Sequence, residues 1–107
     1  MRQEHQDFLT HMVDNFGAKA IEPACTLMRL TRRAERYNVL ACNGDLTRRQ
    51  QRAAERVDAQ AKGIAEKLGT VLRCDGDPRG FSLKIAFPSG AYNTWGGIQD
   101  GWGIPAL

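Results

Sequence analysis

Eight arginines crowd into residues 29 to 56: Arg29, Arg32, Arg33, Arg36, Arg48, Arg49, Arg52 and Arg56. Against Glu35, Asp45 and Glu55 they give this stretch a net charge of +5. Residues 1–28 carry −2, residues 57–107 balance, and the chain as a whole carries +3. No lysine occurs in the basic stretch. Arginine presents a planar fork of N–H donors that matches a carboxylate or a phosphate at two points, where lysine offers a point charge. The chemistry these residues suit is recognition of an acidic group. Arg29, Arg32, Arg33 and Arg36 fall at i, i+3, i+4 and i+7, which puts them on one side of a helix. Arg48, Arg52 and Arg56 fall at i, i+4 and i+8, with Arg49 adjacent, and line a second helix in the same way. Tyr37 is the aromatic residue interleaved with them. The plainer reading of the same pattern is a solvated face partly neutralised by Glu35 and Glu55.

Other chemistry finds little support. Cys25, Cys42 and Cys74 are odd in number, widely spaced and without a CxxC pair. That argues against a zinc ribbon, a redox pair or a secreted disulfide scaffold, and for small buried hydrophobes in a reducing cytoplasm. His5 and His11 lie six residues apart, off any shared helix face and without thiol or acidic companions, so they read as surface residues rather than metal ligands. A calcium loop opening at Asp75 needs a carboxylate at its twelfth position, which is Ala86. Ser82 and Ser89 stand outside any GxSxG elbow, and neither GxGxxG nor GxxxxGKS occurs. The expectation is a protein without catalysis, metal or cofactor. Trp95 and Trp102 stand among glycines near the C-terminal end. They suit either core anchoring or a binding surface, since tryptophan, tyrosine and arginine dominate interface hot spots.

The elements that position these residues follow from periodicity. Phe8, Leu9, Met12, Val13 and Phe16 share one face and predict a helix over 3–16, stopped by Gly17. A second helix is expected from about Ala18 or Glu22 to Cys42, with Pro23 best placed in its first turn. Leu27, Leu30, Ala34, Tyr37 and Ala41 mark its buried face, and Asn43-Gly44 closes it. Thr47 with Gln50 three residues on is a capping-box pattern, with Asp45 as the alternative cap. The third helix then carries an alanine-rich stripe of Ala53, Val57, Ala61, Ile64, Ala65 and Leu68, and ends at Gly69. The short 43–46 connection makes these two helices an antiparallel hairpin rather than a helix-turn-helix, whose members are shorter.

After Gly69 the character changes. Thr70 to Cys74 reads as a short strand, and residues 75–80 as a dense turn cluster. Phe81, Leu83, Ile85 and Phe87 alternate with polar or small residues, a strand with one buried face. Ala91 to Trp95 can form a third strand, and Gly96 to Leu107 reads as an irregular tail. The fold class is therefore α+β. It is a single domain over 1–107, helical over 1–69, with a small antiparallel meander and tail over 70–107. Apolar residues make up 42% and charged residues 25%, the composition of an ordinary globular chain. No apolar run reaches the ~18 residues of a membrane span. Residues 1–8 are mostly polar and include Glu4 and Asp7, unlike a secretory signal. The expected setting is cytoplasmic, without a membrane partner. Alanine seams on paired helices favour homodimerisation.

GDPRG at 76–80, the strand that follows, Pro88-Ser89-Gly90 and the closing Gly101-Trp102-Gly103-Ile104-Pro105 together resemble small bacteriophage and mobile-element proteins. The resemblance covers mainly residues 43–105 and brings no catalytic residue. It implies a small protein made in a bacterial host during phage growth and acting by binding, as a small regulator or as a blocker of host defence of the anti-CRISPR type. The implied partner is a host protein or nucleoprotein complex, with nucleic acid as the alternative. Since this chain is basic, mimicry of nucleic acid by acidic groups is a poor account of it.

Overall fold

The computed structural model of the chain describes residues 2–77, 80–88 and 102–107. Helix α1 spans Gln3–Phe16, and a single 3₁₀ turn, Ala18–Ala20, leads into α2, Ile21–Cys42. Helix α3 spans Arg48–Lys67, followed by strands β1 (Leu72–Asp77), β2 (Gly80–Ile85) and β3 (Trp102–Gly103). The architecture is α+β: three helices and a small antiparallel sheet in the order β1-β2-β3. Helix α2 is the hub and packs against α1, α3 and β2, while α3 also touches β1.

Local chemistry sets the helix ends. Pro23 falls in the first turn of α2, where an amide hydrogen has no intrahelical partner and its loss is free. At the other end of α2, Gly44 adopts φ 74°, Asp45 N donates to Leu40 O at 2.9 Å and Gly44 N to Ala41 O at 3.1 Å. This double closure is a Schellman motif. Helix α3 ends the same way, with Gly69 at φ 80°, Thr70 N donating to Ala65 O at 2.9 Å and Gly69 N to Glu66 O at 3.0 Å. Nothing lies within 4 Å of a Cβ built on either glycine, so the need for glycine is conformational rather than steric. Gly44→Ala and Gly69→Ala should each cost about 1 kcal/mol in urea unfolding, while a D-alanine at the same positions should cost nothing. At the start of α3, Thr47 Oγ1 accepts from Gln50 N at 3.1 Å and Thr47 N donates to Gln50 Oε1 at 3.0 Å. The capping box is formed by Thr47; Asp45 instead serves the closure of α2.

The core draws on all three helices and the sheet. Phe8 and Met12 of α1, Ala24, Leu27 and Met28 of α2, and Ala61 and Ala65 of α3 are fully buried. Leu83, Ile85 and Phe87 seal the other side, with Leu72 and Ile104 beside them. The buried hydroxyl of Thr31 donates to Leu27 O at 2.8 Å, so a polar residue on the inner face of α2 leaves no unmet donor.

Several expectations need correction. His5 is 6% exposed, not a surface residue: its Nε2 faces Ala106 O at 2.6 Å. Position 5 lies three and seven residues before Phe8 and Met12, so it shares their inner face. His11 is half-buried and meets the Phe87 ring edge-on at 6.2 Å. Cys25 is half-buried and packs against the core, whereas Cys42 is exposed, so burial does not explain Cys42. Both Ala41 and Cys42 are exposed, so cover over α2 ends before its last turn. The side chain of Cys74 lies outside the described residues.

Pairing of β1 with β2 runs from Leu72↔Ile85 to Asp77↔Gly80, so residues 75–77 are strand rather than turn. Ladder hydrogen bonds override the turn preference of Asp and Gly there. The third strand is Trp102–Gly103, paired to Lys84 and Ile85, within the stretch expected to be irregular. The strand expected over 91–95 lies outside the described residues. The last residues run on as a strap. Ile104 N donates to Leu83 O at 3.0 Å and Leu107 N to Met28 O at 3.1 Å, joining the sheet to α2. A carbonyl oxygen only accepts, so Nε2 of the His5 ring carries the proton that binds Ala106 O. Replacing His5 by Ala should cost about 2 kcal/mol and speed hydrogen exchange at the Leu107 amide, a readout that a distant core defect would not single out.

Candidate functional site

All eight arginines between residues 29 and 56 are exposed. On α2 the inner face is set by Ala24, Leu27, Thr31, Ala34 and Asn38. At 3.6 residues per turn, Arg29, Arg32, Arg33 and Arg36 fall on the opposite side. On α3 the inner face is Val57, Ala61 and Ala65, and Arg48, Arg49, Arg52 and Arg56 again fall opposite. The folding that buries the apolar stripe of each helix thereby turns its arginine row outward. Both rows extend along their helices. Arg48 and Arg49 open α3, whereas Arg29 stands about 20 Å from the end of α2 at ~1.5 Å per residue.

Among the described residues, Arg2 pairs with Glu4 at 3.8 Å and Lys62 with Asp58 at 2.9 Å. Among the described residues, none of the eight guanidinium groups pairs with an Asp or Glu carboxylate, and neither Glu35 nor Glu55 neutralises them by contact. Arg32 donates from Nη1 to Leu107 O at 3.4 Å, a long and exposed contact. The first turn of α3 has no acidic residue, so Arg48 and Arg49 add their charge to the positive end of the helix dipole. Tyr37 is half-buried, with part of its ring packed against the core. Trp95 and the side chain of Trp102 lie outside the described residues; the backbone of Trp102 forms β3.

A groove of about 460 Å³ lies between the two helices. Its walls are Glu22, Pro23, Thr26 and Arg29 from the first half of α2, with Ile64, Lys67 and Leu68 from the end of α3. A smaller depression of about 300 Å³ is lined by Leu9, Thr10, Val13, Asp14 and Ile21. Neither is lined by a serine, cysteine or histidine. Among the described residues no group of three His, Cys, Asp or Glu side chains is arranged to hold a metal ion. No helix among them is long and apolar enough to cross a membrane.

Periodicity brings out both arginine rows, but not the groove. Glu22, Ile64 and Lys67 become neighbours only when the start of α2 meets the end of α3. The one local hint is Lys67, a basic residue in the last turn of α3. No family model matches the chain, and neither a curated protein nor a solved structure matches it.

Proposed function

We propose that this protein works by binding, without catalysis, and that the arginine rows of α2 and α3 dock an acidic surface of a partner protein. One observation carries the reading: eight exposed guanidinium groups, none paired with an Asp or Glu side chain among the described residues. Concentrated like charge opposes folding, and a complementary partner surface relieves that repulsion while steering association. We take α2 and α3 to be an antiparallel hairpin. The short connection over 43–47, closed by a Schellman motif on one side and a capping box on the other, supports this. So does the groove, whose lining joins the first turns of α2 to the end of α3.

The likeness to phage and mobile-element proteins suggests the kind of partner: a host defence or nucleoprotein complex, inhibited by occupation of its acidic face, inside the bacterial cell. A second copy of the chain is a weaker candidate, because Ala61 and Ala65 of the alanine stripe are already buried within one chain.

Nucleic acid is the second reading, favoured by the fit of the arginine fork to phosphate. Among the described residues Tyr37 is the aromatic side chain interleaved with the arginines, and it is half-buried against the core. Affinity capture from host lysate, repeated after nuclease treatment, separates the two. A stoichiometric protein retained after nuclease supports the proposal. Binding lost with nuclease, and falling with salt by a log–log slope of about 0.9 per phosphate neutralised, supports the alternative.

A further inference from the structure

The groove between α2 and α3 has walls of two kinds. Pro23, Ile64 and Leu68 make an aliphatic floor, and Ile64 and Leu68 are packed against the core. Arg29 and Lys67 stand on it as cations from different helices, with Glu22 as the one carboxylate. Among the described residues none of these three charges is ion-paired, although all line one groove. Arg29 is also the first member of the row that continues through Arg32, Arg33 and Arg36. Its volume of about 460 Å³ falls within the roughly 300–1,000 Å³ of ligand clefts.

We infer that this groove seats one bulky aliphatic residue of an acidic peptide segment, whose flanking carboxylates pair with Arg29 and Lys67. The segment then continues along the arginine row of α2. The inference rests on the reading of the arginine rows as a binding face and adds its anchor point. An aliphatic floor suits a leucine-like side chain and offers no ring on which a base could stack. Glu22 repels phosphates and carboxylates alike, but its carboxylate accepts hydrogen bonds from peptide N–H groups, donors that a phosphate backbone lacks, so the groove fits a peptide better than a nucleic-acid backbone. Buried apolar anchors ringed by polar contacts are the usual source of affinity at such interfaces.

The test uses a dye-labelled peptide of alternating Glu and Ser with one central Leu, titrated in low salt and followed by fluorescence anisotropy. A second peptide carries Ser in place of the Leu. The protein is tested as wild type, as Arg29→Glu with Lys67→Glu, and as Arg32→Glu with Arg52→Glu; all four positions are exposed. The expected result is binding by wild type, weakened about tenfold or more by the groove pair and by loss of the central Leu. Backbone amide resonances of Thr26, Ile64 and Leu68 should shift on binding. If the groove pair and the Leu-less peptide bind as wild type while Arg32→Glu with Arg52→Glu weakens binding, the anchor is refuted and the arginine-face reading stands. If only the groove pair matters, the anchor stands and the extended arginine face is refuted. Absence of binding by wild type overturns the anchor.

Discussion

Arg32→Glu combined with Arg52→Glu should weaken capture of the cognate partner by about a hundredfold or more while leaving the fold intact. Each arginine is exposed, one on the outward side of each helix. Buried interface arginines commonly contribute about 2 kcal/mol or more, and two such losses exceed the ~1.4 kcal/mol that equals one factor of ten. Charge reversal adds repulsion toward an acidic surface. The free protein should not suffer. The reversals relieve self-repulsion within a stretch of net charge +5, and Arg32 gives up only its 3.4 Å contact with Leu107 O. Stability within about 0.5 kcal/mol of wild type is the expected accompaniment. Arg32→Lys with Arg52→Lys keeps the charge and loses the fork, and should fall between wild type and the reversal. Unchanged capture by the reversal variant would reduce both rows to a solvated face.

The second large effect is on stability. Ile85→Ala should cost about 3 kcal/mol, within the ~2–5 kcal/mol seen when a buried isoleucine or leucine is cut to alanine. Ile85 is fully buried, pairs with Leu72 of β1 and with Trp102 of β3, and lies on the strand that packs against α2. A cavity there loosens the sheet from the helical layer at its centre. Since small domains hold only ~5–15 kcal/mol in total, the urea midpoint should drop sharply with little change in slope. Val71→Ala is the matched control: Val71 is 64% exposed, and its loss should stay within about 0.5 kcal/mol. An Ile85→Ala cost below about 1 kcal/mol would mean that the sheet does not close the core.

Both of these sites are readable from the chain alone. The arginine rows, the 3–16 helix, the Thr47 cap and the buried alternation of Leu83, Ile85 and Phe87 all follow from spacings of two, three and four residues, which local geometry imposes. What local spacing hides depends on contacts between distant residues. His5 shares the inner face of α1, yet its partner is Ala106, at the far end of the chain. Asp75, Gly76 and Asp77 have turn composition but extend β1, because β2 supplies ladder partners for them. Trp102 and Gly103 form a strand only because β2 has a second edge to pair. The groove likewise exists only once the start of α2 meets the end of α3.

Phenylglyoxal labelling of guanidinium groups, read residue by residue by mass spectrometry with and without the captured partner, tests the docking face most directly. In the free chain the eight exposed arginines should react readily. In the complex, those on the outward sides of α2 and α3 should be protected, while Arg2, which is exposed and belongs to neither row, keeps its free rate. Equal labelling of all eight in the free and bound states would show that the partner docks elsewhere.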